Sequence, residues 1–143
     1  MTTVIKNPMT SSDVAEFTNC ARVKVTSCLL DSDFGDFDGS DEKLAFNSEA
    51  VTYRIRCYHG GDRAENKGHI SLYINGNAGP EGDKIITFTI RIRGDVEIKT
   101  FRLIAANAFS LSLPKFISHN DVKKLFDKDS ALTIECTATC QQI

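Results

Sequence analysis

The sequence predicts an all-β chain, an antiparallel β-sandwich of seven to eight strands with one short helix. Three observations lead there. Strand-length segments alternate apolar and polar residues with a period of two. The cleanest is Gly68 to Asn75, where Ile70, Leu72 and Ile74 face one way and His69, Ser71, Tyr73 and Asn75 the other. Clusters of turn-forming residues break these segments at regular intervals. Neither a strand–helix–strand rhythm nor an internal repeat is present, which argues against a parallel sheet.

In chain order, residues 1–19 read as a flexible N-terminal tail, because Pro8, Thr10, Ser11, Ser12 and Asp13 favour irregular backbone. Residues 20–143 form the sandwich domain. Arg22 to Cys28 is the first strand, with Val23 and Val25 inward. Asp31 to Lys43 is acidic and turn-rich. Asp31, Asp33 and Glu42 fall at positions one, three and twelve of a calcium loop, but the sixth position is Asp36 where such a loop needs glycine. The segment is therefore expected as a solvated loop whose Phe34 and Phe37 tuck under the sandwich. Leu44 to Phe46 is a short strand. Val51 to His59 is a longer one, with Val51, Tyr53, Ile55 and Cys57 on its apolar face, ended by Gly60-Gly61-Asp62.

After the central strand and a loop containing Pro80, Ile85 to Arg93 places Ile86, Phe88, Ile90 and Ile92 on one face. Arg93-Gly94-Asp95-Val96 fits a two-residue hairpin with glycine first. The same letters spell an integrin-binding tripeptide, but the turn already accounts for the glycine. Val96 to Ala106 follows, its alternation shifting phase between Ile98 and Phe101, which suggests a bulge. Pro114 lacks a donor and confines Asn107 to Phe116 to an edge strand or a loop. Ser118 to Phe126 carries capping residues and then Val122, Leu125 and Phe126 at helical spacing. Ala131 to Cys140 is the last strand, with Leu132, Ile134, Cys136 and Ala138 inward.

Composition narrows the function classes. A length of 143 residues fits one domain, and an apolar share of 41% is enough for one core. Charged residues make up 25% and the net charge is −2, which fits neither a disordered acidic tail nor a basic nucleic-acid arm. No apolar run approaches the roughly 18 residues of a membrane span. Met1 to Cys20 lacks the charged-then-apolar pattern of a secretory leader, so cytoplasm or nucleus is the expected location. In that reducing setting Cys20, Cys28, Cys57, Cys136 and Cys140 read as small core residues.

Chemistry-bearing constellations are sparse. Cys57 and His59 share a strand face, but one such pair lacks the four ligands of a structural zinc site. Ser118, His119 and Asp121 stand in the order of a helix cap rather than of a nucleophile, a base and the group that orients the base. No phosphate-binding glycine loop or nucleophile elbow occurs, and no cofactor is implied. Arg54, Arg56 and Tyr58 make a small basic stripe that reads as a solvated face. An enzyme is not expected.

The stretch from Tyr53 onward resembles the MATH, or TRAF-like, domain. Tyr53-Arg54-Ile55-Arg56-Cys57-Tyr58-His59 runs into a glycine turn as in that family. Ile70-Ser71-Leu72-Tyr73-Ile74 is similar to the family's Leu-Ser-Leu-Tyr-Leu strand. Leu111 to Ile117 resembles its late loop entering Lys-Phe-Ile, and Asp129 to Cys136 its closing acidic turn and Leu-Thr strand. The resemblance spans residues 21–140.

It implies an eight-stranded sandwich that captures short extended peptides in a shallow groove, as in the adaptors that present substrates to cullin-type ubiquitin ligases. It places peptide contacts at Tyr73, Phe88, Ser110, Leu111, Ser112, Leu113 and Lys115. Leu111-Ser112-Leu113 stands where the family has Trp-Gly-Phe, Pro114 where it has lysine, and Tyr53 where it has tryptophan. Alternation alone allows Phe88 to be core and Tyr73 an ordinary half-exposed tyrosine. The implied partner is a short linear peptide motif, with neither nucleic acid nor membrane. Oligomerisation through regions outside this chain is left open, since no BTB, RING or coiled-coil segment is present and the chain reads as an adaptor fragment or a domain that works alone. The alternative is a structural or self-associating sandwich with no peptide-binding role.

Overall fold

A computed structural model describes residues 17–46, 49–79, 83–92, 97–105 and 107–142. Eight strands and one helix follow the order β1 (Phe17–Thr26), β2 (Asp38–Phe46), β3 (Glu49–Tyr58), β4 (His69–Asn77), β5 (Lys84–Ile92), β6 (Glu97–Ala105), β7 (Ala108–Ser118), α1 (His119–Leu125) and β8 (Ala131–Gln142). They form two antiparallel sheets, β1-β8-β5-β6 and β2-β3-β4-β7. The architecture is the expected all-β sandwich of eight strands. None of its described helices is long and apolar enough to cross a membrane.

Period-two alternation builds the core. Ile86, Phe88, Ile90 and Ile92 from β5 and Leu132, Ile134, Cys136 and Ala138 from β8 meet Val51, Tyr53, Ile55 and Cys57 from β3 and Ile70, Leu72 and Ile74 from β4. All of these side chains are buried. The Tyr53 and Phe88 rings cross between the sheets edge to face, with centroids 5.5 Å apart, a geometry that aligns ring edge against ring face. The Tyr53 hydroxyl donates to the Asn19 side chain, which satisfies its one polar atom at the margin of the core.

Five details depart from expectation. First, β1 begins at Phe17, inside the segment expected as a tail, and pairs residue for residue with β8. It stops at Thr26, and Ser27–Asp31 forms a turn of 3-10 helix. Second, β2 starts at Asp38 rather than Leu44. An edge strand tolerates the aspartates that would be costly in a buried one. Gly39 permits the close pairing, since a Cβ there would fall 2.0 Å from the Ile55 carbonyl oxygen.

Third, Phe34 and Phe37 are 51% and 49% exposed instead of tucked under the sandwich; Phe37 lies against Tyr58 and the Arg56 guanidinium, while Leu30 from the 3-10 turn is the buried residue of this segment. Fourth, Cys28 is exposed and Cys20 half-buried, so only Cys57, Cys136 and Cys140 are core thiols. Fifth, β6 has no bulge. Its pairing with β5 runs unbroken from Lys84↔Ala105 to Ile92↔Glu97. Phe101 and Leu103 pair with the inward Phe88 and Ile86, and Ile104 on the outer face is 73% exposed. The expected hairpin and tripeptide at Arg93 to Val96 lie outside the described residues.

The true irregularity is in β7, which is an edge strand, as Pro114 requires. Ile70 pairs with Ile117 and Leu72 with Leu113. One residue of β4, Ser71, therefore faces three of β7, namely Pro114, Lys115 and Phe116. Proline cannot donate to the ladder, and the buried Ser71 hydroxyl instead donates to the Pro114 carbonyl at 2.7 Å. The bulge resets the alternation, so Phe116 turns inward while Lys115 stays exposed.

The short helix α1 starts as expected. The Ser118 hydroxyl accepts from the Asp121 amide at 3.1 Å, and Val122 is its buried contact. His119 ties the helix to the β3–β4 loop, its ring donating to the His59 carbonyl at 2.6 Å and its amide to the Gly68 carbonyl at 2.9 Å. Replacing Ser118 by alanine should cost about 1 kcal/mol, as loss of an N-cap does, read as a lower urea midpoint at unchanged slope.

Candidate functional site

The strand faces sort the expected site residues into two groups that do not meet. Tyr73 pairs with Ser112 and Asn75 with Ser110, and all four face outward from the β2-β3-β4-β7 sheet. Leu113 pairs with Leu72 and Leu111 with Ile74, so both leucines turn to the inner face and pack against the core. A groove joining Tyr73 to Leu111 and Leu113 would have to pass through the sheet. Phe88 is wholly buried on the opposite sheet and offers no surface to a partner. Lys115 is exposed on the bulge.

On the outer face, Tyr73 belongs to a network centred on Asp62. The Asp62 carboxylate accepts from the Tyr73 hydroxyl at 2.5 Å, the Asn66 amide at 2.6 Å and the Arg63 guanidinium at 3.2 Å. The buried Ser71 hydroxyl lies 3.2 Å from the same carboxylate and accepts from the Asp62 amide at 3.0 Å. Desolvation pushes the Asp62 carboxyl up, but the hydrogen bonds from Tyr73, Asn66 and Ser71 and the charge of Arg63 outweigh it and hold its pKa at about 2. Tyr73 is pushed up to about 12, first by desolvation and then by its bond to that carboxylate. Gly61, at φ +94°, supplies the left-handed turn that swings Asp62 over β4. The Tyr73 hydroxyl is thus committed to fastening the β3–β4 loop. Its ring stands edge-on to Tyr58 at 5.7 Å, and Tyr58 in turn meets Phe37 at 5.2 Å.

The open side of the sandwich lies between β6 and β7. Each is the last strand of its sheet, and the two touch far less than β1 and β2 do at the opposite side. Two clefts lie here. One, of about 340 Å³, is walled by Phe101, Leu113, Pro114 and Phe116, with Ser112 and Lys115 at its edge. The other, of about 460 Å³, is bordered by Lys99, Lys115, Lys124, His69 and Ser118. They share Lys99, Lys115 and Phe116 and so adjoin each other. Lys99 lines both: its ammonium donates to the Phe116 carbonyl at 3.0 Å and lies 4.9 Å from the Phe116 ring centre.

Of the expected residues, this pair of clefts gathers Ser112, Leu113 and Lys115. It adds Lys99, Phe101 and Phe116, which the sequence reading passed over. Their signal was present: with β6 read in unbroken phase, Lys99, Phe101 and Leu103 share the inner face, and a lysine in an apolar row marks an opening in the core.

Burial pushes the thiols of Cys57 and Cys136 up to about 12, with Asp38 adding to the effect at Cys57 and Cys20 and Glu42 at Cys136. Neither is an available thiolate near neutral pH. The Nε2 atom of His59 is fixed 2.8 Å from the Asp38 carboxylate, and among the described residues no three candidate metal ligands converge. The Arg54 and Arg56 stripe is partly neutralised by Asp41, at 3.1 and 3.9 Å. Compared with known proteins, the chain matches no protein-family model and no curated relative.

Proposed function

We propose that this domain is a peptide-binding interaction module that captures an extended, acidic segment of a partner protein at the open side of the sandwich. The observation that carries the reading is the pair of adjoining clefts between β6 and β7, apolar where Phe101, Leu113 and Phe116 line one and cationic where Lys99, Lys115 and Lys124 border the other. Both strands present an outer edge that no described strand covers. An extended segment adding to such an edge takes affinity from main-chain hydrogen bonds and specificity from alternate side chains. Residues 108–113 of β7 offer that edge. Pro114 and Lys115 interrupt it, which also guards against indiscriminate pairing.

The resemblance to MATH domains extends the proposal to substrate capture for a cullin-type ubiquitin ligase, in the cytoplasm or nucleus. The five free cysteines are compatible with that setting. The contact set would then differ from the one the family pattern implies. It would centre on Leu113 and Lys115 with Lys99 and Phe101, leaving Phe88 to the core and Tyr73 to the Asp62 network.

A second reading is self-association through the same uncovered edges. Charge weighs against it, because symmetric pairing of two copies brings like rows of lysine together. Sedimentation over a hundredfold concentration range separates the two, since a monomer throughout excludes self-assembly.

Selection from a random peptide library displayed on phage tests the main reading. Sequences that alternate apolar and small residues beside an acidic one should be enriched. The exposed change Lys115→Glu should keep a native thermal transition and shift the selection away from acidic residues, and Leu113→Asp should lose the selected sequences while still unfolding cooperatively at a lower temperature, since Leu113 packs partly against the core. No enrichment, or equal enrichment by Leu113→Asp, would sink the proposal.

A further inference from the structure

We infer that the lysine-bordered end of the cleft is a subsite for a phosphorylated side chain of the captured segment. The inference rests on the peptide-binding reading and specifies its ligand. Three lysines, Lys99, Lys115 and Lys124, border this end, and Asp121 is the one carboxylate among its lining residues, leaving a local charge of about +2. The chain as a whole carries −2, so cations are concentrated here against the general balance.

A phosphoryl group carries about −1.5 to −2 at neutral pH and presents three acceptor oxygens, whereas a carboxylate carries one charge. The phosphoryl group is therefore the better match to the residual charge. Lys115 is exposed, and the exposed Lys124 holds only a long ion pair to Asp121 at 3.9 Å, which a phosphoryl group carrying more charge can displace. Lys99 is held by one bond to the Phe116 carbonyl, and an ammonium has three donors, so two remain for a ligand. The Ser118 hydroxyl accepts from the Asp121 amide and keeps its own proton to donate. His69 lines the same end, and its Nδ1 atom is buried without a hydrogen-bond partner.

The adjoining apolar end selects the source of the phosphoryl group. Because the two ends share Lys99, Lys115 and Phe116, a ligand filling both must carry apolar and phosphorylated groups on one extended backbone. A phosphorylated peptide meets that requirement, whereas a soluble sugar phosphate leaves the apolar end unfilled.

The test is a titration of isotopically labelled protein, followed by amide chemical shifts, with three probes: capped phosphoserine, capped glutamate, and vesicles containing phosphatidylinositol 4-phosphate. Capped phosphoserine should shift the amides of His69, Lys99, Lys115, Ser118 and Lys124 saturably, and bind at least tenfold more tightly than capped glutamate. The double substitution Lys115→Ala with Lys124→Ala, both exposed, should abolish those shifts without moving the thermal transition. Equal binding of glutamate, shifts scattered over the surface, an unaffected double variant, or tighter binding to the vesicles would each overturn the inference. The library-selected peptides, titrated into the unmodified protein alongside phosphoserine, keep the two readings apart. If they still bind while phosphoserine does not, the subsite fails alone. If phosphoserine binds but no peptide does, the peptide reading fails alone.

Discussion

Truncating Phe88 to alanine should destabilise the domain by about 3–5 kcal/mol, the usual cost of deleting a buried aromatic and leaving a partly collapsed cavity. Phe88 has no exposed surface, meets Tyr53 at 5.5 Å and Phe109 at 6.1 Å, and lies between the sheets. That loss is a large share of the roughly 5–15 kcal/mol that holds a typical domain together, and it should lower the Tm by about 10 °C or more. Thermal or urea unfolding followed by circular dichroism reads it directly. The same experiment separates a core role from a groove role. A phenylalanine facing a peptide groove can be truncated with little effect on the unfolding midpoint, whereas this one should lose stability whether or not a peptide is bound. An unchanged midpoint would place Phe88 at the surface and contradict the packing described here.

Replacing Asp62 by alanine should cost about 2–3 kcal/mol at neutral pH, because hydrogen bonds to a charged acceptor each contribute more than neutral ones and several are lost together. The buried Asn66 amide would lose its acceptor and the Tyr73 hydroxyl its partner.

The pH dependence gives a sharper signature. The folded-state pKa of Asp62 is about 2, below its ordinary value of 3.8, so the unfolded chain binds the proton more tightly than the folded one. The stabilisation is fully present above the ordinary value and is lost as pH falls through about 2. The difference in urea midpoint between the wild type and Asp62→Asn should therefore be widest at pH 5 to 7 and close as the pH approaches 2. A gap that stays constant with pH would mean that the network does not depend on the carboxylate's charge. Loosening this network should also free the β3–β4 loop, which α1 holds from the other side through His119, so amide exchange should rise from Gly60 to Gly68 in the variant.

How much of the site was legible in the sequence depended on whether a residue's face could be read locally. Leu113 and Lys115 lie on β7, the segment read as an edge strand or a loop, and the serines between and beside the leucines alternate with them. The sequence does not say which of those faces joins Tyr73. That depends on register across β4 and β7, and Tyr73 pairs with Ser112, not with a leucine. The placement of Phe116 was hidden for a related reason. It turns inward because three residues of β7 oppose one of β4, and a bulge leaves no mark in the alternation until its partner strand is known. Asp62 read as part of a loop-breaking cluster. Its role as an acceptor for Tyr73, Asn66 and Arg63 needs Tyr73 from β4 brought together in space with the loop that carries Asn66 and Arg63.

The sequence by itself determined the class of the protein. Period-two alternation with turn residues between segments specifies strands buried on one face, and two such sheets can bury those faces only against each other. It also determined the core rows of β3, β4, β5 and β8, the edge position of β7 through Pro114, and the capped start of α1. The tertiary structure alone decided which strands end each sheet, how β7 bulges past Ser71, and that β6 and β7 leave the sandwich open between them. Those are outcomes of pairing between residues far apart in the chain, where register rather than local propensity sets which side chains converge. The cleft exists because two edge strands from different sheets lie on the same side. Its lysines come together from β6, β7 and α1, three segments that only the fold makes neighbours.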